Sequence, residues 1–453
     1  MKPAKSPLAP RIERYREGQA QRHQAPRRAN ADWSASDKRT DPVDILIRQG
    51  ESRIRELLPV RYARMRASPL AFLRGAAAVM ASDLATTSHA GINVQSCGDC
   101  HLNNFGSYAT PEGMPVFDIN DFDETSTAPF EWDLKRLATS LVLAGREGGL
   151  SSRECRMLAI DMTQAYVAEI IRLAEMTPFQ AWNARIDLMR VIDEMPGHRT
   201  RDKLRQRLMR QIASMVNQFG MIEPGTMPTL RENPPLVQRI PNQDDSVRHA
   251  FARYVAQLPP ERRILMERYA LTDIIFKVVG IGSVGTFCAL GLFSTADGET
   301  ILLQIKEAQS SVLENNTGIS TFANHGERVV VGQRIMQAAS DAFLGWTHSV
   351  GQRNDAAGAG RHFYVRQTKD SRLAAIGERI EDELLPFYAQ LCGHALGRAH
   401  GRSADLPLLA GYLGRGRGFA DAIAQFGVRY ASQTEKDWQV FNRAIADGRI
   451  EEG

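Results

Sequence analysis

Two stretches of the chain carry side chains whose types and spacing could do chemistry. The first runs Gly98-Asp99-Cys100-His101-Leu102-Asn103-Asn104-Phe105-Gly106 and continues at Phe117-Asp118-Ile119-Asn120-Asp121-Phe122-Asp123-Glu124. Asn104 follows Asp99 by five positions and Asp121 follows it by twenty-two, just after the apolar stretch Pro115 to Ile119. A carboxylate that can take a hydroxyl proton, an amide oxygen and a second carboxylate for a divalent metal are what phosphoryl transfer asks of a protein, because the work there is positioning and charge neutralisation. Hard oxygen ligands select magnesium, which also binds nucleotide phosphates. Asp118 and Asp123 can share the metal with Asp121, so the choice among the three stays open.

The second stretch is Gly280-Ile281-Gly282-Ser283-Val284-Gly285, with Lys306 at the end of Leu302-Leu303-Gln304-Ile305-Lys306. A glycine turn between antiparallel strands brings backbone N–H groups close to phosphates, since no side chains intervene. A lysine one strand further on can reach the α- and β-phosphates. The dinucleotide version of such a turn is followed by a helix, whereas Thr286 to Phe293 reads as strand.

Plainer readings exist for these residues. Asp99, Asn104 and Asp121 could be turn formers in a glycine-rich stretch, Gly280 to Gly285 a simple hairpin turn, and Lys306 a solvated strand residue. Cys97-Gly98-Asp99-Cys100-His101 also matches the C-x-x-C-H pattern of covalent haem, although that attachment goes with an exported, oxidising setting. Arg366, Arg398, His400 and Arg402 read as surface charge, Gly414 to Gly418 as a connecting loop, and Met336 and Trp346 as core.

Around these stretches the elements are mostly helical. Helical periodicity covers Asp44 to Leu84, resumes after Pro129, restarts at a Ser151/Glu154 capping box and continues to about Ala270. Between Gly91 and Thr127 the pattern is loop and short strand. Phe276–Gly282, Thr286–Phe293 and Thr300–Ile305 read as a three-strand meander with Asp297-Gly298 at a turn. A helix from Arg328 to Ala342, a flexible loop Gly351–Gly360, a strand His362–Gln367 and helix from about Ile376 complete the chain.

The chain has 453 residues and a net charge of +4, an excess already present in residues 1–45, where ten basic residues face six acidic ones. Nucleic acid is therefore a poor candidate partner. No apolar run reaches the roughly 18–20 residues that span a bilayer, so no membrane partner is expected. The N-terminus lacks the apolar centre of a signal peptide, and five cysteines suit a reducing compartment, which together point to the cytoplasm.

Gly98-Asp99 through Asn104 resembles the catalytic loop of aminoglycoside phosphotransferases and other kinase-like enzymes. Asp121-Phe122-Asp123 resembles their metal-binding aspartate motif, and Trp132-Asp133-Leu134 a segment that buttresses their site. The resemblance implies Asp99 as catalytic base, Asn104 and Asp121 as metal ligands and Asp133 as support. Gly280, Gly282, Ser283, Gly285 and Lys306 would then hold ATP, with Mg2+ as the second cofactor.

From about Leu46 to Phe441 the chain is also similar to an uncharacterised bacterial family, domain of unknown function 2252. The similarity is carried by Ser68-Pro69-Leu70-Ala71-Phe72-Leu73-Arg74-Gly75, the Gly98 loop, Asn120 to Glu124, Val279 to Thr286 and Gly332-Gln333-Arg334.

In ordinary kinases the glycine turn and lysine precede the catalytic loop, and here they follow it. The expectation is thus an α+β, mostly α-helical protein with a kinase-like two-lobe fold in circularly permuted order. Its parts are a partly disordered basic arm (1–45), a helical lobe with the catalytic loop (46–270), a small β-containing nucleotide lobe (271–370) and C-terminal helices that pack on the helical lobe (371–453). Glu327 and Glu314 are two candidates for the glutamate that pairs with Lys306. The expected activity is transfer of the ATP γ-phosphoryl group to a hydroxyl of a small-molecule or protein acceptor. The alternatives are a catalytically silent nucleotide-binding or scaffold protein and, third, a haem protein.

Overall fold

Helices begin where the sequence supplies caps. In the computed structural model, which describes residues 9–451 except 195–196, 199–200, 204, 207–220, 224, 226, 235, 240–243, 279, 319–320, 350–359 and 369–383, α1 is Arg11–Gln24 and α2 is Pro42–Gly50. The Asp41 carboxylate accepts the Val43 N–H at the head of α2. After α3 (Leu58–Arg66), the Ser68 hydroxyl accepts from Ala71 to open α4 (Pro69–Gly75), with Pro69 in the first turn where its missing N–H has no partner to lose. α5 (Ala77–Leu84) ends the N-terminal helices.

Gly91 to Thr127 holds short strands, as its composition implies. β1 (Asn93–Ser96) pairs with β4 (Ser126–Pro129), and β2 (Phe105–Ala109) forms an antiparallel hairpin with β3 (Pro115–Ile119). α6 (Phe130–Glu147) and α7 (Ser152–Ala174) follow, and the capping box of Ser151 and Glu154 is present at the head of α7. After α8 (Asp244–Gln257) come the three meander strands β5 (Ala270–Lys277), β6 (Cys288–Ser294) and β7 (Thr300–Ala308). The first strand starts and ends earlier than its periodicity suggests, because Gly280 to Gly285 is entirely turn. Asn324 caps α9 (His325–Met336) through two backbone amides. β8 (Gly345–His348) and β9 (His362–Gln367) complete an antiparallel sheet ordered β8-β9-β7-β6-β5, with Val237–Gln238 at the edge of β5. The C-terminal helices are α10 (Leu385–Gly401), α11 (Leu406–Leu413) and α12 (Arg417–Ala446). The loop expected at Gly351–Gly360 and the helix start expected at Ile376 lie almost wholly outside the described residues.

The protein is a mixed α+β chain, mostly helical. One core joins α6, α7, α10, α11 and α12 to the short strands, and a second lies between the sheet and α8, around Phe251, Tyr254, Phe287 and Phe363. Residues 1–45, expected as a partly disordered arm, instead contain α1, which docks on α11. A Cβ on Gly18 would stand 2.0 Å from the Leu408 carbonyl oxygen, and Arg22 Nε donates to the Tyr412 carbonyl at 2.9 Å. Backbone contact and guanidinium hydrogen bonds hold this helix, so no apolar stripe announces it. No helix among the described residues is long and apolar enough to cross a membrane.

Candidate active site

The loop after β1 is pinned from beneath. Asp133, in the first turn of α6, accepts the Cys97 N–H at 2.6 Å and the Gly98 N–H at 3.0 Å. Its Oδ2 also lies 3.1 Å from His400 Nε2, and the other ring nitrogen of His400 meets the Tyr166 hydroxyl at 3.0 Å. Gly98 has φ +82°, and a Cβ there would sit 2.2 Å from the Glu124 carbonyl oxygen, so glycine alone lets the two acidic segments touch. His400 is fully buried beneath the loop and Arg398 beside it, which corrects the reading of both as surface charge.

The Asp99 carboxylate is oriented by Arg136, whose Nε donates to Oδ1 at 2.8 Å and whose Nη2 donates to the same oxygen and to the Leu73 carbonyl. His101 Nε2 stands 3.7 Å from Asp99 Oδ2. Burial pushes His101 down to about 3, and Asp99, which works the other way, does not offset it. The imidazole is therefore neutral near pH 7. Asn104 donates its amide N–H to the Asp99 carbonyl at 2.7 Å, which fixes the amide plane in the cavity wall.

The aspartates expected as metal ligands part company where β3 ends: Asp118 lies within the strand, and Asp121 and Asp123 lie in the loop after it. Asp118 faces the interior, where Arg398 Nη2 and the Ala338 N–H (2.8 Å) occupy its carboxylate and neither ion-pair side chain is exposed. It does not line the cavity, so the metal role offered to it is corrected. Asp121 and Asp123 do line it. Asp121 is raised above the usual carboxylate range by burial and next by Asp123, while Lys306 and Arg366 oppose the rise. Glu124 is raised to about 7 by burial and accepts the Val312 N–H at 2.8 Å.

From the sheet, Lys306 points into the same place. Its Nζ donates to Asp123 Oδ2 and, at 2.8 Å, to the Ser283 hydroxyl, which in turn donates to Asp123 Oδ2 at 2.9 Å. The Tyr364 hydroxyl donates to the other oxygen at 2.7 Å. Burial works to raise Asp123, but the Lys306 ammonium and these hydrogen bonds outweigh it and hold the carboxyl below its ordinary value. Neither glutamate candidate partners Lys306: Glu314 lies 3.4 Å from Arg328, and no described contact joins Glu327 to the lysine. The charged side chain that α9 sends inward is Arg328, which donates to the Asp123 and Gln309 carbonyls at 2.8 Å each.

Gly280 (φ +67°) and Gly285 (φ +90°) give the turn its left-handed corners. A Cβ on Gly282 would lie 3.7 Å from Asp99 Oδ2, so the turn roofs the Asp99 carboxylate. One cavity is thus lined by Asp99, Asn104, Asp121, Asp123 and the glycine turn, with Lys306 at its edge through Ser283 and Asp123. Among the described residues no cluster of three or more His, Cys, Asp or Glu side chains is arranged to hold a metal ion. The donor set, an Asn104 amide and an Asp121 carboxylate, suits a hard cation that takes its other oxygens from phosphate and water. Cys97 and Cys100 are buried, and the Cys97 thiol donates to the Asp121 carbonyl at 3.4 Å, so a macrocycle would have to displace the loop to reach them.

Sequence reasoning missed Arg136, Tyr364 and Arg328, and misread His400. Two carried a signal: Arg136 stands one helical turn from Asp133, and Tyr364 shares a strand face with Arg366.

Residues 53–444 match the family model described as an uncharacterized protein conserved in bacteria, DUF2252. The chain belongs to DUF2252. No curated protein and no solved structure matches it. The DUF2252 match takes in Asp99, Asn104, Asp121, Gly280 to Gly285 and Lys306, so every element of the cavity that sequence reasoning named falls within the family's span.

Proposed function

We propose that this DUF2252 member is an ATP-dependent phosphotransferase with a kinase-like, circularly permuted two-lobe arrangement. The observation that carries the reading is the hydrogen-bonded knot of Lys306, Ser283 and Asp123 in the cavity that also contains Asp99, Asn104 and Asp121. Strand order supports it: the glycine turn follows the first meander strand, the lysine lies near the end of the third, and a helix precedes the fourth, as in the nucleotide-binding half of protein kinases.

In this reading Asp99, held by Arg136, accepts the proton of the acceptor hydroxyl as its oxygen bonds to the γ-phosphorus and the β–γ bridging bond breaks to release ADP. Asn104 and Asp121 would hold Mg2+, which supplies charge neutralisation on the phosphate oxygens. Lys306 and the turn's backbone amides hold the phosphates, with Lys306 exchanging Asp123 for phosphate oxygen when nucleotide enters.

Asp99→Asn and Asp121→Asn should each cut ATP turnover by about 100-fold or more while melting as cooperatively as the parent. Undiminished ADP production in both overturns the assignment. A second reading, nucleotide binding without turnover, draws on Lys306 having Asp123 as partner in place of a helix glutamate. Calorimetric binding of MgATP with no phosphate release across a broad panel of hydroxyl acceptors favours it.

A further inference from the structure

The cavity has a basic wall that the proposed chemistry leaves unassigned. It is made by Arg53, after α2, and Arg61, on α3, with Arg74 of α4 alongside. Arg61 is fully buried. Its Nη2 donates to Gln49 Oε1 at 2.8 Å and to the Gly75 carbonyl at 2.7 Å, while Nε and Nη1 find no partner among the described residues. Arg53 gives Nη1 to the Val284 carbonyl at 2.5 Å, and its Nε is likewise unsatisfied.

An unpaired buried guanidinium costs several kcal/mol unless an anion neutralises it. Burial pulls both arginines below their ordinary range; the Arg53 charge adds to the effect on Arg61, whereas Glu124 and Asp123 work the other way on Arg53. Of the carboxylates that line the same cavity, Asp99 is paired with Arg136, Asp123 with Lys306 and Glu307 with Arg361 at 3.2 Å, while Glu124 accepts the Val312 amide. The chamber is small, about 80 Å3, and it opens past Gln49, Arg53 and Gln309 into a cleft of about 770 Å3, the size of an ordinary small-molecule site. Such a shape suits one compact oxyanion in the chamber with the rest of its molecule in the cleft.

We infer that Arg53 and Arg61 form a buried oxyanion subsite that takes a phosphate group, supplied either by the tail of the nucleotide or by an anionic group on a second substrate. The guanidinium is the side chain suited to this, being rich in donors held in a fixed fork that matches phosphate oxygens. The subsite stands on the unpaired nitrogens and the chamber, and it does not depend on phosphoryl transfer taking place.

The test is titration calorimetry of inorganic phosphate into the full chain at constant ionic strength, against Arg61→Met and Arg53→Met. Saturable binding to the parent, weakened about tenfold or more in each variant that melts cooperatively, is the expected result. Should Arg61→Met fail to fold, Arg53→Met and Arg61→Lys carry the comparison. Repeating the titration in a saturating non-hydrolysable ATP analogue, which fills the α-, β- and γ-phosphate positions, tells the sources apart: lost phosphate binding assigns the subsite to the nucleotide tail, and retained binding assigns it to a second substrate. No saturable binding to the parent, or equal binding to parent and folded variants, overturns the inference, as does an adventitious ion only. Because the readout needs no turnover, an inactive enzyme leaves this result intact, and an active enzyme that ignores phosphate defeats the subsite alone.

Discussion

His101 sits between Asp99 and the interior, and its neutrality has a measurable consequence. Its folded value near 3 lies below the ordinary value of about 6.5, so between these the unfolded chain binds the additional proton. The stability it contributes is present above about pH 6.5 and is lost as pH falls toward 3. Glu124, raised to about 7, acts in the opposite sense: it favours the fold while protonated and loses that contribution as pH rises through 7. Comparing parent with His101→Gln isolates the histidine. Urea melts at pH 7 and pH 5 should show the parent losing about 2 kcal/mol more than the variant on acidification, and equal losses would mean that His101 is charged in the folded protein. The sequence could announce the acidic motif because oxygen ligands at fixed offsets are a local property. It could not announce Arg136 or His400 as its supports, since those depend on what the fold stacks beneath the loop.

The helices that supply these supports meet at unusually short range. α10 lies on α7 with Gly393 at the crossing, where a Cβ would come 2.1 Å from the Met162 carbonyl oxygen, and Gly397 meets Tyr166 and Glu169 one turn later. Close approach places Arg398 against Asp118 and His400 against Asp133. Gly393→Ala should therefore push the pair apart and cost about 1–3 kcal/mol in denaturant melts, with wild-type stability excluding the tight crossing. Helix α7 was readable from its capping box and apolar period, and strand β9 from its alternation. The docking of α10 was not, because a glycine inside a helix gives no sign of which backbone it touches, and because α10 reads as a helix whose charged residues belong on the surface until the partner carboxylates are in view. The strands were placed well as a meander, but the glycine turn ran longer than its alternation implied, since Ile281 and Val284 look apolar enough to extend a strand.

Distant parts of the chain close on one another around single arginines. Arg39, ahead of α2, donates to Asp83 on α5 and to Asp437 on α12, and Tyr430 donates to Asp83 at 2.6 Å. All three charged groups are largely withdrawn from water, with side-chain exposures of 12, 7 and 5%. Arg39→Met should destabilise the protein by about 3–5 kcal/mol by stranding two carboxylates, and adding Asp83→Asn and Asp437→Asn should restore part of the loss. An Arg39→Met variant as stable as the parent would show that the ends of the chain do not rely on this bridge. Composition reads residues 1–45 as a basic, partly disordered arm, because arginine-to-carboxylate and arginine-to-carbonyl bonds leave no hydrophobic trace.

The partnership of Asp133 with His400 spans 267 residues. At roughly 5–20 residues per second of elongation, the aspartate leaves the ribosome on the order of 10–50 s before the histidine that completes its anchorage. The nascent loop must wait through that interval without its footing, so a chain released before α10 is synthesised carries every acidic residue of the cavity yet lacks the histidine beneath them.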